Sequence, residues 1–163
     1  MTAFDYAFLG ILALSALLGM WRGLVSELLA LVGWGLALFA AWAYSARLGA
    51  LFVGYLAEPI WRQLAAGLLI VILVLSVLAM VRYLLRQLLR AAGLGSADRL
   101  FGSFFGLARG LLISLVLVLM GGVLGLAQQP WWSQAMFAPP LEAAVIAAKP
   151  WMPALIADKI HFR

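Results

Sequence analysis

Uncharged, largely apolar residues fill four stretches of the chain: Tyr6 to Trp21, Leu28 to Ala46, Gln63 to Val81 and Gly110 to Ala127. Crossing the hydrocarbon core of a bilayer takes about 20 mostly apolar residues, and the Leu, Ile, Val, Phe and Ala of these stretches meet that need. None alternates with a period of two, so they predict helices rather than barrel strands. The pattern predicts an all-α integral membrane protein whose four transmembrane helices cover about residues 6–21, 24–46, 63–83 and 104–127.

The segments between the stretches are short and distinctive. Trp21-Arg22-Gly23 joins the first two spans with hardly any loop, which predicts an antiparallel helical hairpin. Residues 47–62 carry Pro59, suited to a helix start, and Tyr55 and Trp61, suited to the headgroup level; they predict an interfacial linker. Beyond the third span, Arg82, Arg86 and Arg90 recur every four residues among leucines, predicting an amphipathic cytoplasmic extension that Gly93 and Gly95 end. From Gln128 onward Pro130, Pro139, Pro140, Pro150 and Pro153 interrupt the chain, and Trp131, Trp132 and Trp151 punctuate it. That composition predicts a Pro/Trp-rich tail, 128–163, hugging the interface on the periplasmic side, with short helices at most over 141–148 and 154–160, after a four-span domain at 1–127.

Composition sharpens the membrane assignment. The chain is 67% hydrophobic and 10% charged, with a mean hydropathy of +1.11, against about 25% charged residues in a soluble domain. Basic residues outnumber acidic ones, 11 to 6, but no basic segment is long enough to track a phosphate backbone, so the expected partner is the lipid bilayer and not nucleic acid. With no cysteine, disulfides, thiolate metal sites and cysteine nucleophiles are excluded. Asp5 stands where a secretory signal would carry Lys or Arg, so the first span is expected to be retained.

Six arginines, Arg22, Arg82, Arg86, Arg90, Arg99 and Arg109, flank span ends on one side, whereas Arg47 and Arg62 flank the other. The excess orients that side toward the cytoplasm and places both termini in the periplasm.

Chemistry-bearing residues are few. His161 is the single histidine and has no second ligand for a metal near it, and no Gly-x-Ser-x-Gly, Ser-x-x-Lys or phosphate-loop pattern occurs. The chain is expected to be neither an enzyme nor a carrier of a cofactor. Asp5 and Glu27, at the starts of the first two spans, are functional candidates because ionisable groups at membrane depth are costly, although a structural role at the interface, by snorkelling or by capping a helix start, is the preferred reading. Gly102, Gly106 and Gly110 form a groove spaced by four, read as a packing surface within the monomer in preference to a self-association face. Ser96 and Asp98 are expected to start that helix, and Arg109 enters the membrane on the side of Glu27, so that an Arg109–Glu27 pair is geometrically allowed. Arg22-Gly23-Leu24 and Arg109-Gly110-Leu111 form a weak internal echo.

Asp5, the Arg22-Gly23 pair followed by Glu27, and the run Asp98-Arg99-x-x-Gly102-x-x-Phe105-Gly106-x-x-Arg109-Gly110 closely resemble the CvpA, or colicin V production protein, family of bacterial inner-membrane proteins. The resemblance covers about Asp5 to Ala127 and not the tail. It implies a multi-pass protein of the cytoplasmic membrane needed for colicin V production or export and involved in envelope robustness. The mechanism expected with it is a non-enzymatic, homo-oligomeric membrane component in which Arg22, Glu27 and Arg109 stabilise packing or line a polar path. A small channel or solute transporter, or a scaffold for an export-machinery partner, stand as alternatives.

Overall fold

The computed structural model describes residues 1–152 and residue 162; the expected helix over 154–160 and His161 lie outside the described residues. Among the described residues six α-helices follow one another: α1 Ala3–Arg22, α2 Leu24–Gly49, α3 Pro59–Ala91, α4 Gly95–Val123, α5 Pro130–Ser133 and α6 Ala138–Ala148. The first four are long and apolar enough to cross a membrane. No strand occurs among the described residues. The chain forms two compact units, residues 1–21 with 101–163, and residues 22–100.

Within residues 22–100, α2 and α3 pair as an antiparallel hairpin. Gly33 faces Leu78 and Leu75, Ser45 faces Gly67, and Gly49 faces Arg62, the partner number falling as the position rises. The pairing is built on Gly33, Ala37, Ala41, Ser45 and Gly49, a stripe of small residues at every fourth position of α2, all but Ala41 buried. Without a hydrophobic drive between helices in lipid, such a stripe lets two backbones approach and gain dispersion contacts. Pro59 opens α3 at its first turn, where a missing N–H costs nothing. At the other end Gly93, at φ 73°, closes α3 while Leu94 N–H donates to Leu89 C=O at 2.9 Å and Gly93 N–H to Arg90 C=O at 3.1 Å. This is the double bond of a Schellman stop. Gly93 thus ends α3 as expected, but Gly95 is the first residue of α4, which starts well before residue 104.

Within the other unit, α1 and α4 pack antiparallel through glycine. A Cβ on Gly19 would overlap the Gly102 carbonyl oxygen, one on Gly106 the Ser15 carbonyl oxygen, and one on Gly110 would lie 3.0 Å from Ser15 Cβ. The expected glycine groove is therefore a packing surface inside the chain. The segment after residue 127 carries the short helices α5 and α6 and turns one tryptophan inward, while Trp151 is 91% exposed. Trp132 is 3% exposed and joins Phe4, Val118, Ala127, Leu141 and Val145 in one hydrophobic core. Its ring lies 4.8 Å from that of Phe4, tilted by 54°, and rests against Gly121, where a Cβ would overlap the indole. A large aromatic buries more apolar surface against a preformed notch than it would at an interface, and that area decides its place.

Candidate functional site

Of the residues singled out by sequence, Asp5, Arg22, Gly23, Glu27, Asp98 and Arg99 stand at helix ends, where four N–H or four C=O groups lack intrahelical partners, and Gly102, Phe105, Gly106, Arg109 and Gly110 lie inside α4. The tightest gathering lies in residues 22–100, at the turn into α2. Gly23 occupies the N-cap position of α2 at φ 82°, a region costly for any residue with a Cβ, and has no side chain with which to cap. The missing acceptor comes from the first turn of α4: Asp98 Oδ1 accepts the Val25 N–H at 2.9 Å. A Cβ on residue 23 would overlap Asp98 Oδ2, so Gly23 is required by its φ angle and by the carboxylate. Asp98 stands in the first turn of its own helix, as expected, and caps α2 as well.

The carbonyl side of the same turn is held by α3. Arg86 Nε donates to Ser26 Oγ at 2.7 Å, and its Nη2 donates to the Arg22 carbonyl, the last residue of α1, at 2.6 Å. A cation on a C-terminal carbonyl and a carboxylate on an N-terminal amide both oppose the local end of the peptide dipole. Glu27 pairs with Arg22 at 3.6 Å, its side chain 5% exposed against 54% for the arginine. Its place in the first turn of α2 adds the favourable dipole end.

The second gathering is in the unit of residues 1–21 and 101–163. Asp5, fully buried, accepts the Thr2 N–H at 2.8 Å through Oδ2. Thr2 and Asp5 flank the first turn of α1 in the manner of a capping box. The other oxygen, Oδ1, accepts the Phe137 N–H at 3.0 Å, and Phe137 is the N-cap residue of α6. One carboxylate thereby joins the starts of two helices 132 positions apart. Arg109 Nη2 donates to the Ser15 carbonyl at 3.3 Å, over the close approach that Gly106 allows. Gly102, Gly106 and Gly110 are buried, Phe105 is half-buried, and Arg99 is exposed. The echo between Arg22-Gly23 and Arg109-Gly110 has no structural counterpart, since Gly23 is a left-handed turn residue and Gly110 lies inside α4.

Arg86, Ser26, Trp132 and Glu142 are site residues the sequence did not reveal. Arg86 sits in a regular arginine row read as the polar side of an amphipathic extension. Glu142, 7% exposed, accepts the Trp132 Nε1–H at 2.7 Å across a proline-broken segment that carries no periodic signal. Beside this bond lies an apolar cleft of about 360 Å³ walled by Phe4, Phe8, Leu117, Trp131 and Trp132. Its one hydroxyl, Ser114 Oγ, already donates to the Gly110 carbonyl at 2.9 Å. Among the described residues no three His, Asp or Glu side chains converge as a metal site would require. Asp5, Asp98 and Arg86 hold helix ends, whereas Arg109 holds a carbonyl inside α1 and Glu142 an indole N–H; in both gatherings the charged groups tie one element to another.

The family model described as "Colicin V production protein" matches residues 4–146. The Colicin V production protein of Escherichia coli (strain K12) is 35% identical over 136 residues, 83% of each chain. The Colicin V production protein homolog of Haemophilus influenzae (strain ATCC 51907 / DSM 11121 / KW20 / Rd) is 33% identical over 136 residues, again 83% of each. No solved structure matches the chain at a significant level. The family match runs through most of α6, further than the sequence resemblance ending near Ala127.

Proposed function

The chain belongs to the colicin V production protein family, and from that membership we propose a non-enzymatic, oligomeric component of the bacterial cytoplasmic membrane that supports colicin V production or export and envelope robustness. A role in colicin V production follows from the family, and the four long apolar helices fit a multi-pass membrane protein. The observation that carries the finer reading is where the charges go. Asp5, Asp98 and Arg86 bind backbone ends rather than converge on a cleft, an arrangement suited to building a rigid membrane body. The arginine excess beside Arg22 and Arg82 to Arg109 supports a cytoplasmic location for those ends and periplasmic termini.

Complementation tests the reading. In a colicin V-producing strain deleted for its relative of this chain, expression should restore toxin release. A reporter that matures only in the periplasm, fused after Arg163, should be active. Unrestored release by a chain that accumulates in the membrane would overturn the role, and ion flux in liposomes containing only this chain would replace it by a channel.

A further inference from the structure

We propose that the arginine-bearing end of residues 22–100 binds the headgroup of an anionic phospholipid; the inference rests on the membrane reading above. Arg82, Arg86 and Arg90 follow one another by single turns of α3, and Arg22 and Arg99 flank the helix ends that Arg86 and Asp98 hold. The carboxylates of this region are Glu27 and Asp98. Glu27 pairs with Arg22, and Asp98 accepts the Val25 N–H. Arg86 donates to a hydroxyl and a carbonyl, which orient its guanidinium and leave its charge unneutralised. Among the described residues Arg82, Arg86 and Arg90 form no ion pair, and the buried Arg82 Nε has no acceptor. A half-buried cation that no protein anion neutralises is costly, and an external anion relieves it.

Depth identifies the anion. At about 1.5 Å per residue, the 33 residues of α3 span about 50 Å, well beyond a hydrocarbon core of about 30 Å. Its uncharged run, Gln63 to Val81, matches that core, so Arg82 stands at the edge and Arg86 about 6 Å further out, the level of lipid phosphates. On the opposite side of the same turns Leu84 and Leu88 are 48% and 64% exposed, so apolar surface persists at this depth. A row of guanidinium groups backed by exposed leucine matches an amphiphile with a phosphate, not a soluble anion.

Thermal unfolding of the full chain in mild detergent tests this, with added phosphatidylglycerol, phosphatidylcholine of the same acyl chains, or glycerol phosphate. Phosphatidylglycerol should raise the midpoint, and the other two should not. Arg82→Gln and Arg90→Gln, neither of which holds another element among the described residues, should each weaken the phosphatidylglycerol effect about fivefold. Arg90→Lys, which keeps the charge, should retain it. Equal shifts with both lipids, or wild-type affinity in both glutamine variants, would overturn the site, and an equal shift with glycerol phosphate would overturn the lipid as its source. Fractionation separates this outcome from the underlying reading: a chain that stays in membranes without preferring the anionic lipid loses only the site, and one that leaves with alkaline extraction loses the membrane assignment.

Discussion

Asp98 accepts the Val25 N–H at 2.9 Å and thereby caps a helix to which it does not belong. The residue that occupies the N-cap position, Gly23, is held at φ 82° directly against that carboxylate. Each needs the other: the helix end lacks a cap without Asp98, and the carboxylate has no room without glycine at residue 23.

Replacing Asp98 by Ala should cost about 0.5–2 kcal/mol of stability, the range for loss of an N-cap acceptor, and Asp98→Asn should keep most of it. Gly23→Ala should be worse than Asp98→Ala, because it adds backbone strain to the overlap with Asp98 Oδ2. In the double variant the overlap disappears and the φ strain stays. Thermal unfolding in detergent should therefore show a double defect smaller than the sum of the singles; strict additivity would separate the two residues.

Arg86 makes two directed hydrogen bonds through a planar fork, to Ser26 Oγ and to the Arg22 carbonyl. Lysine keeps the charge but loses the fork. Arg86→Lys is expected to lose about 1–2 kcal/mol, partly screened at this half-buried position, and Arg86→Gln at least as much. Equal unfolding midpoints for wild type and Arg86→Lys would reduce the role of this residue to its charge.

The glycine groove yields a paired comparison on two helices. Gly106→Leu forces a side chain into the Ser15 carbonyl, so the α1–α4 packing should fail and accumulation in the membrane should fall sharply. Gly10 has nothing within 4 Å of an added Cβ, and Gly10→Leu should accumulate normally. Immunoblots of membrane fractions read both. Similar levels for the two variants would remove close packing from the explanation.

Asp5 joins the starts of α1 and α6, so its loss should be felt far away in sequence. Hydrogen exchange of Asp5→Ala should quicken at the Phe137 amide and the first turn of α6 while α2 and α3 stay protected. Unchanged protection there would show that the apolar core alone seats α6.

Trp132 donates to buried Glu142 at 2.7 Å. Phenylalanine fills much of the same space but leaves the carboxylate without this donor, at a cost of about 1–3 kcal/mol, and Glu142→Gln, which retains an acceptor, should cost less than Trp132→Phe. The reverse order in thermal unfolding would place the importance of Glu142 in its charge.

The uncharged runs by themselves determined four long helices, because the free energy of placing about 20 apolar residues in lipid depends on composition and not on neighbours. Arg22-Gly23 likewise announced a sharp turn, and Pro59 and Gly93 the ends of α3, since a missing N–H or a positive φ is a property of one residue. Gly102, Gly106 and Gly110 declared a packing face but not its partner. Only the tertiary structure decided that α1 fills it, that the stripe from Gly33 to Gly49 seats α3, and that Trp132 leaves the surface for the core. The same holds for Asp98 on α2, Asp5 on α6 and Arg86 on the Arg22 carbonyl, whose partners lie 73, 132 and 64 positions away. A hydrogen bond is directional and reaches about 3 Å, so which helix end a carboxylate serves is set by where chain packing brings that end, and no local pattern carries that position.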